Sequence, residues 1–162
     1  MRQRFPFVSF LLALGVCACV LRAPLDTRGV DPGLTPDRAA AAAKEASGRT
    51  VQWGGLLIRT TNLEEVTELE VLAYPLDRQG RPRTGEAPQG RFLALRDGYV
   101  EAAVYAPGRL VTVVGRFSGT RAGLIGAMEY LYPLVKVEQL YLWPADESGA
   151  GPRFHLGVGV GL

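Results

Sequence analysis

The two cysteines are the residues whose type and spacing most directly suggest chemistry. Cys17 and Cys19 lie one residue apart at the end of the apolar stretch LLALGVCACV, and the 162-residue chain contains no others. A disulfide between them would close a very tight ring, which is sterically unfavourable. A metal site would require further soft ligands, and His155 is the only histidine. These cysteines therefore point to processing of the chain rather than to a redox or metal centre.

The segment around the cysteines has the layout of a bacterial lipoprotein signal. A basic start, MRQR, precedes an uncharged stretch over residues 5–21, which is at the short end for a helix that spans a bilayer. The sequence VCAC (residues 16–19) resembles a lipobox, in which a small residue precedes the cysteine that is acylated. We therefore expect residues 1–18 to be removed and Cys19 to carry diacylglycerol and an N-acyl lipid as its membrane anchor. An uncleaved N-terminal anchor is the alternative.

The residue after the anchor and the balance of charge bear on location and partners. Val20, rather than an aspartate, follows Cys19, which favours sorting to the outer membrane, where the protein would face the periplasm. The full chain has 18 basic and 16 acidic residues, and removal of Arg2 and Arg4 leaves 16 of each, a net charge of zero. Nucleic-acid binding usually requires a basic excess. We therefore expect partners in the membrane and among envelope proteins, and no nucleic acid.

Glu68 and Glu70 are the side chains that come nearest to a catalytic pair. Alternation along a strand puts both on one face, about 7 Å apart, within the range that glycosidases use. The solvent face of an antiparallel strand looks the same, with Arg59 on the neighbouring strand as the expected charge partner. The chain has no G-x-S-x-G motif and no P-loop. We predict a non-enzymatic protein that needs no cofactor, with a hydrolase using Glu68 and Glu70 as one alternative.

The elements that would position these side chains are mostly strands. Residues 19–34 are rich in Pro, Gly, Asp and Arg and are predicted to be a tether. The sequence TPDRAAAAAKEASG predicts one short helix, with Thr35 as its N-cap and Pro36 in its first turn. Five strands are predicted next, from the β-rich sequences TVQWGGLLIRTTN, VTELEVLAYPL, GRFLAL, RLVTVVGRFSG and YPLVKVEQLYLWP.

The strand pattern predicts a mainly β protein, a small antiparallel, OB-like five-stranded barrel with one short N-terminal helix, over residues 35–144. A flat sheet with a packed helix is the rival architecture. The many aromatic residues leave an OB-type module for single-stranded nucleic acid or an oligosaccharide as a second alternative function. The glycine-rich tail over residues 145–162 ends in FHLGVGVGL, which predicts either a further edge strand or a mobile segment.

Two details of the pattern concern the last two strands. The glycines of GTRAGLIG (residues 119–126) predict a loop after the fourth strand. Strict alternation in the fifth strand predicts that Val135, Val137, Tyr141 and Trp143 share one face.

The order of these motifs resembles that of the Slp family of bacterial outer-membrane lipoproteins. The motifs W-G-G, L-E-V-x-x-x-P-L-D, G-R-F-L-A, G-R-x-V-T-V-x-G and Y-P…L-W-P occur in the family's order between Gly48 and Pro144. The resemblance implies an envelope protein linked to starvation or stationary phase, anchored at Cys19 and facing the periplasm, and it brings no catalytic residue. The motif positions that it marks as candidate binding residues are Trp53, Gly54, Gly55, Glu70, Pro75, Gly90, Arg91, Gly115, Tyr130, Pro133 and Trp143.

Overall fold

The computed structural model describes residues 25–145. The predicted signal peptide, Cys19 with its lipid, and the tail from residue 146 onward lie outside these described residues. Two short helices precede five strands: α1 (Pro36–Ala41), α2 (Ala43–Ala46), β1 (Thr50–Asn62), β2 (Val66–Ala73), β3 (Arg91–Asp97), β4 (Leu110–Ile125) and β5 (Met128–Leu142). The described chain is therefore mainly β, as its sequence pattern predicts.

The predicted helix is interrupted at Ala42, whose backbone leaves the helical region with φ −123° and ψ 49°. Pro36 occupies the first turn as expected, but the Thr35 side chain makes no capping hydrogen bond. Alanine supplies helix propensity without apolar bulk, so packing on the barrel decides where these helices run. Ala39 of α1 and Ala46 of α2 are both buried in the core. The expectation of one helix is therefore corrected to two short ones.

The strands form a closed barrel in the order β1-β2-β3-β5-β4, and β4 returns to pair with β1. Neighbouring strands are antiparallel except β3 and β5, which run parallel from Leu93↔Leu134 to Leu95↔Lys136. This parallel junction is much shorter than the other pairings of the ring. The strand order is that of an OB-like barrel, so the predicted fold class is confirmed and the flat sheet is rejected.

The inward faces of the strands form one hydrophobic core. The Trp53 ring lies 5.3 Å from that of Phe92 and 6.3 Å from that of Phe117, measured between ring centroids. Each such buried side chain contributes about 1.5–3 kcal/mol relative to leaving it exposed. The Trp53 Nε1–H donates to the Leu34 carbonyl at 2.6 Å, so the segment before α1 is held against the barrel. Other core residues are Val51, Leu57, Leu69, Val71, Ala94, Val111, Val113 and Val135.

Glycines occur where neighbouring backbones approach most closely. A Cβ on Gly55 would clash with a carbonyl group of β2, and one on Gly54 would lie 2.7 Å from Thr112 Oγ1 of β4. A Cβ on Gly115 would clash with a carbonyl group of β5. These positions require glycine because no side chain fits between the strands.

The second half of β5 does not face the way that its alternation predicts. The pairing of β4 with β5 shifts register, and this changes the side on which the following residues lie. Val135 and Val137 pack in or against the core, as expected, whereas Tyr141 and Trp143 form a ring pair outside it. Trp143 is nevertheless fully buried. Its Nε1–H donates to Thr112 Oγ1, and the Thr112 hydroxyl donates to the Gly80 carbonyl in the loop after β2, so these buried polar groups are satisfied. The prediction that these four side chains share one face of β5 is therefore wrong.

Candidate functional site

Glu70 is the one charged side chain among residues 25–145 that is buried, with 4% of its surface exposed. Its Oε1 accepts hydrogen bonds from Arg91 Nη1 at 2.7 Å and from the Tyr132 hydroxyl at 3.1 Å. Its Oε2 accepts a hydrogen bond from Arg59 Nη2 at 2.8 Å. Arg59 lies directly opposite Glu70 in the β1–β2 register, which confirms the charge pair expected from the sequence.

The end of β4 and the beginning of β5 form a hairpin over the Glu70 carboxylate. We call residues 119–133 the covering hairpin, because its Tyr132 is buried against Glu70. Burial, together with the hydrogen bond to Glu70, raises the pKa of the Tyr132 phenol. Arg121 Nη2 lies 2.6 Å from Glu68 Oε2. The covering hairpin is therefore held to the outer face of β2 by a hydrogen bond and an ion pair.

A second contact joins the covering hairpin to the start of β3. The Tyr130 hydroxyl accepts a hydrogen bond from the backbone N–H of Arg91 at 2.8 Å. Gly90 has φ of +88°, and a Cβ there would clash with Asp37 and lie 2.9 Å from the Tyr130 hydroxyl. Partial burial raises the pKa of the Asp37 carboxyl. The structure thus brings together four of the motif positions predicted from the sequence: Glu70, Gly90, Arg91 and Tyr130.

The geometry of this cluster is that of a structural clamp. Glu70 is bonded to two arginines and a tyrosine, and Glu68 is paired with Arg121, so both carboxylates are engaged. A general acid or base must instead be free to exchange a proton with substrate. The hydrogen bond to Glu70 raises the pKa of the Arg91 guanidinium, which stays charged. Within residues 25–145, no three His, Cys, Asp or Glu side chains are grouped so that they could hold a metal ion.

The remaining motif positions do not gather at one site. Pro75 follows the end of β2, and its carbonyl accepts a hydrogen bond from the Arg83 N–H at 2.8 Å. Pro133 is buried in the covering hairpin, where it pairs with Thr120. The positions that serve core packing, close backbone approach or the outer aromatic pair are Trp53, Gly54, Gly55, Gly115 and Trp143.

The covering hairpin also carries an exposed apolar surface that the sequence pattern does not predict. Leu124, Met128 and Leu131 are 63%, 70% and 48% exposed. An open concave region of about 530 Å³ lies here and is lined by Ala122, Gly123, Leu124, Glu129, Tyr130 and Leu131. The glycines of GTRAGLIG suggested a loop, but β4 continues as a strand to Ile125. The sequence TRAGLI does not alternate between apolar and polar residues, so local pattern gave no signal for this part of the strand.

Comparison with known proteins agrees with the motifs. The family model for the outer membrane lipoprotein Slp family matches residues 14–155. The chain is 31% identical over 137 residues to the uncharacterized lipoprotein YeaY of Escherichia coli (strain K12), a match that covers 83% of this chain and 69% of that protein. It is 29% identical over 100 residues to the outer membrane protein Slp of the same organism, which covers 62% of this chain and 53% of that protein.

Among solved structures, a small single-stranded DNA-binding protein from Streptomyces coelicolor aligns with 59% of this chain and 94% of its own, at 11% identity and a TM-score of 0.37.

The lipoprotein relatives define the class of protein, which is that of outer-membrane lipoproteins. Within that class, the chain belongs to the Slp family, and the resemblance seen in its motifs is confirmed. In the part of the chain that the structure describes, no helix is long and apolar enough to cross a membrane.

Proposed function

We propose that lipid on Cys19 anchors this protein in the outer membrane and that the barrel faces the periplasm. The family assignment and the lipobox support the anchor. Residues 20–24 span at most about 18 Å when fully extended. From Leu25 onward the chain is described, and the Asp26 N–H already donates to Gln139 Oε1 of β5 at 2.9 Å. The anchor would therefore hold the barrel next to the bilayer surface.

Replacement of Cys19 tests the anchor. In Cys19→Ala we expect loss of palmitate labelling and an uncleaved chain, because the acylated side chain is missing. Metabolic labelling and mass spectrometry of the purified protein measure both. Cys17→Ala is the matched control, and it should be cleaved and acylated like the unchanged protein. Palmitate retained in Cys19→Ala, or lost in Cys17→Ala, would overturn the assignment.

We further propose that the protein acts by binding an envelope protein and not by catalysis. The observation that carries this proposal is the exposed apolar surface of the covering hairpin, formed by Leu124, Met128 and Leu131. Exposed apolar patches on folded proteins commonly mark contact sites for other proteins. The contacts of Glu68 and Glu70 also favour a role without catalysis, because both carboxylates are bonded to the covering hairpin and hold it in place.

Site-specific photo-crosslinking in intact cells tests the partner surface. A photoreactive residue in place of Leu124 should give a discrete product with an envelope protein, identified by mass spectrometry. The control position is Glu138, which is exposed on β5 outside the covering hairpin. Met128→Ser with Leu131→Ser should weaken the product from position 124 without lowering the melting temperature, since both side chains are exposed. Equal products from positions 124 and 138, or none from position 124, would contradict the proposal.

A further inference from the structure

A cleft lies beside β1, between the segment before α1 and the chain that follows β2. Its volume is about 320 Å³, at the lower end of the range of about 300–1,000 Å³ that is typical of ligand sites. Pro32, Pro75 and Leu76 are among its apolar lining residues. No charged side chain from the described part of the chain lines it. Its polar lining consists of Thr35, Gln52 and Gln89.

The three polar side chains are uncommitted within the described chain. Thr35 makes no capping hydrogen bond. The backbone of Gln52 pairs with β4, and the Gln89 N–H donates to the Ala73 carbonyl at 2.8 Å. The side-chain amides of both glutamines form no hydrogen bond with other groups in residues 25–145. The cleft therefore offers hydrogen-bond donors and acceptors without charge.

We propose that this cleft binds an uncharged, extended peptide segment of a partner protein. A glutamine amide carries both an acceptor and donors, so it can pair with the N–H and C=O of one peptide unit. The proline and leucine lining suits the apolar side chains of such a segment. A sugar fits less well, because Trp53 is 4% exposed and its Nε1–H is bonded to the Leu34 carbonyl, which leaves no open ring face for stacking.

A second, smaller cavity adjoins the cleft. It has a volume of about 90 Å³ and shares Gln52 with the first cavity, but Asp77 and Arg78 are among its lining residues, so its lining is charged where that of the cleft is not. Gln52 stands where the two cavities meet, and the uncharged segment occupies the first of them. The site is separate from the covering hairpin, and its existence does not depend on the partner surface proposed there.

Titration of defined peptides tests the proposal. The probe is a set of N-acetylated, C-amidated octapeptides composed of Val, Leu, Pro, Gly and Asn, added to the full chain in detergent and followed by isothermal titration calorimetry. We expect saturable binding of members of this set. Gln52→Met and Gln89→Met should each weaken it about three- to tenfold, because each removes hydrogen bonds but keeps the length of the side chain.

Threonine variants provide a matched control. Thr35→Val should also weaken binding, whereas Thr84→Val should not, because Thr84 is exposed and lies outside the lining. An unchanged melting temperature in every variant shows that the barrel is intact. Absence of saturable binding, or unchanged affinity in both glutamine variants, would overturn the proposal. Tighter binding of N-acetylglucosamine oligomers that the glutamine variants abolish would also overturn it, in favour of a glycan.

Discussion

At the scale of single residues, Glu70 is a buried charge whose cost is offset by its neighbours. A carboxylate taken out of water costs several kcal/mol unless charges and donors replace the solvent. Two guanidinium groups and one phenol surround its oxygen atoms. Their contributions are unequal, because the Arg91 side chain is 27% exposed and the Arg59 side chain 67%. Water screens the Arg59 pair more strongly.

Arg91→Leu should therefore destabilise the protein more than Arg59→Leu. We expect Arg91→Leu to lower the free energy of unfolding by about 2–3 kcal/mol, because it leaves the buried carboxylate with one exposed cation. Arg59→Leu removes a largely exposed cation and leaves Arg91 and Tyr132 bonded to Glu70, so it should cost less than about 1 kcal/mol. Urea denaturation of both variants at neutral pH measures the difference. Equal losses would show that burial does not set the strength of these two pairs.

At the scale of elements, β1 pairs with β2 on one side and with β4 on the other, and it carries two adjacent glycines where these strands meet. Gly55 pairs with Ala73 of β2 and also with Val111 of β4. Three backbones meet at this position, and they leave no room for a Cβ on Gly55. The W-G-G motif is thus explained by barrel closure and does not require a ligand.

Gly55→Ala should destabilise the barrel strongly. We expect a loss of at least about 2 kcal/mol in the free energy of unfolding, since the added methyl group must push two paired strands apart. Gly85→Ala is the matched control, because a Cβ at Gly85 would have no atom within 4 Å. That change should be neutral or stabilise by less than about 1 kcal/mol. Thermal unfolding of both variants measures the effect, and similar melting temperatures would mean that β1 and β2 separate easily.

At the scale of the whole molecule, the barrel and the covering hairpin differ in how strand pairing protects them. From Val111 to Arg116, β4 pairs with both β1 and β5. From Gly119 to Ile125 it pairs with β5 alone. Local opening requires less free energy where fewer hydrogen bonds and buried contacts are lost.

Hydrogen exchange should divide the molecule along this boundary. We expect the amides of Val111 and Val113 to exchange slowest, because they are buried and lie in the doubly paired part of β4. Amides of residues 122–131 should exchange at least about tenfold faster, because only one partner strand protects them. Exchange followed by mass spectrometry on the purified protein measures both groups. Equal protection would indicate that another surface covers the hairpin in solution.

Much of the fold follows from local pattern in the sequence. Alternation and turn residues predicted the strands, and the spacing of Glu68 and Glu70 placed their side chains on the outer face opposite Arg59. The interruption of the helix and the position of Trp143 outside the main core could not be predicted from local pattern, because both depend on packing partners. A shift of register depends on how the partner strand pairs, so the alternation of residues within one strand cannot predict it.

The sites show the same division between local and tertiary information. The lipobox at Cys19 is contiguous, so the proposed anchor rests on the sequence alone. The family could also be predicted from the order of its motifs, and the family model confirms it. The clamp between Glu70 and Tyr132, and the cleft that joins Gln52 to Gln89, unite residues far apart in the chain. Only closure of the barrel brings them together, because burial of the shared core determines which distant strands become neighbours.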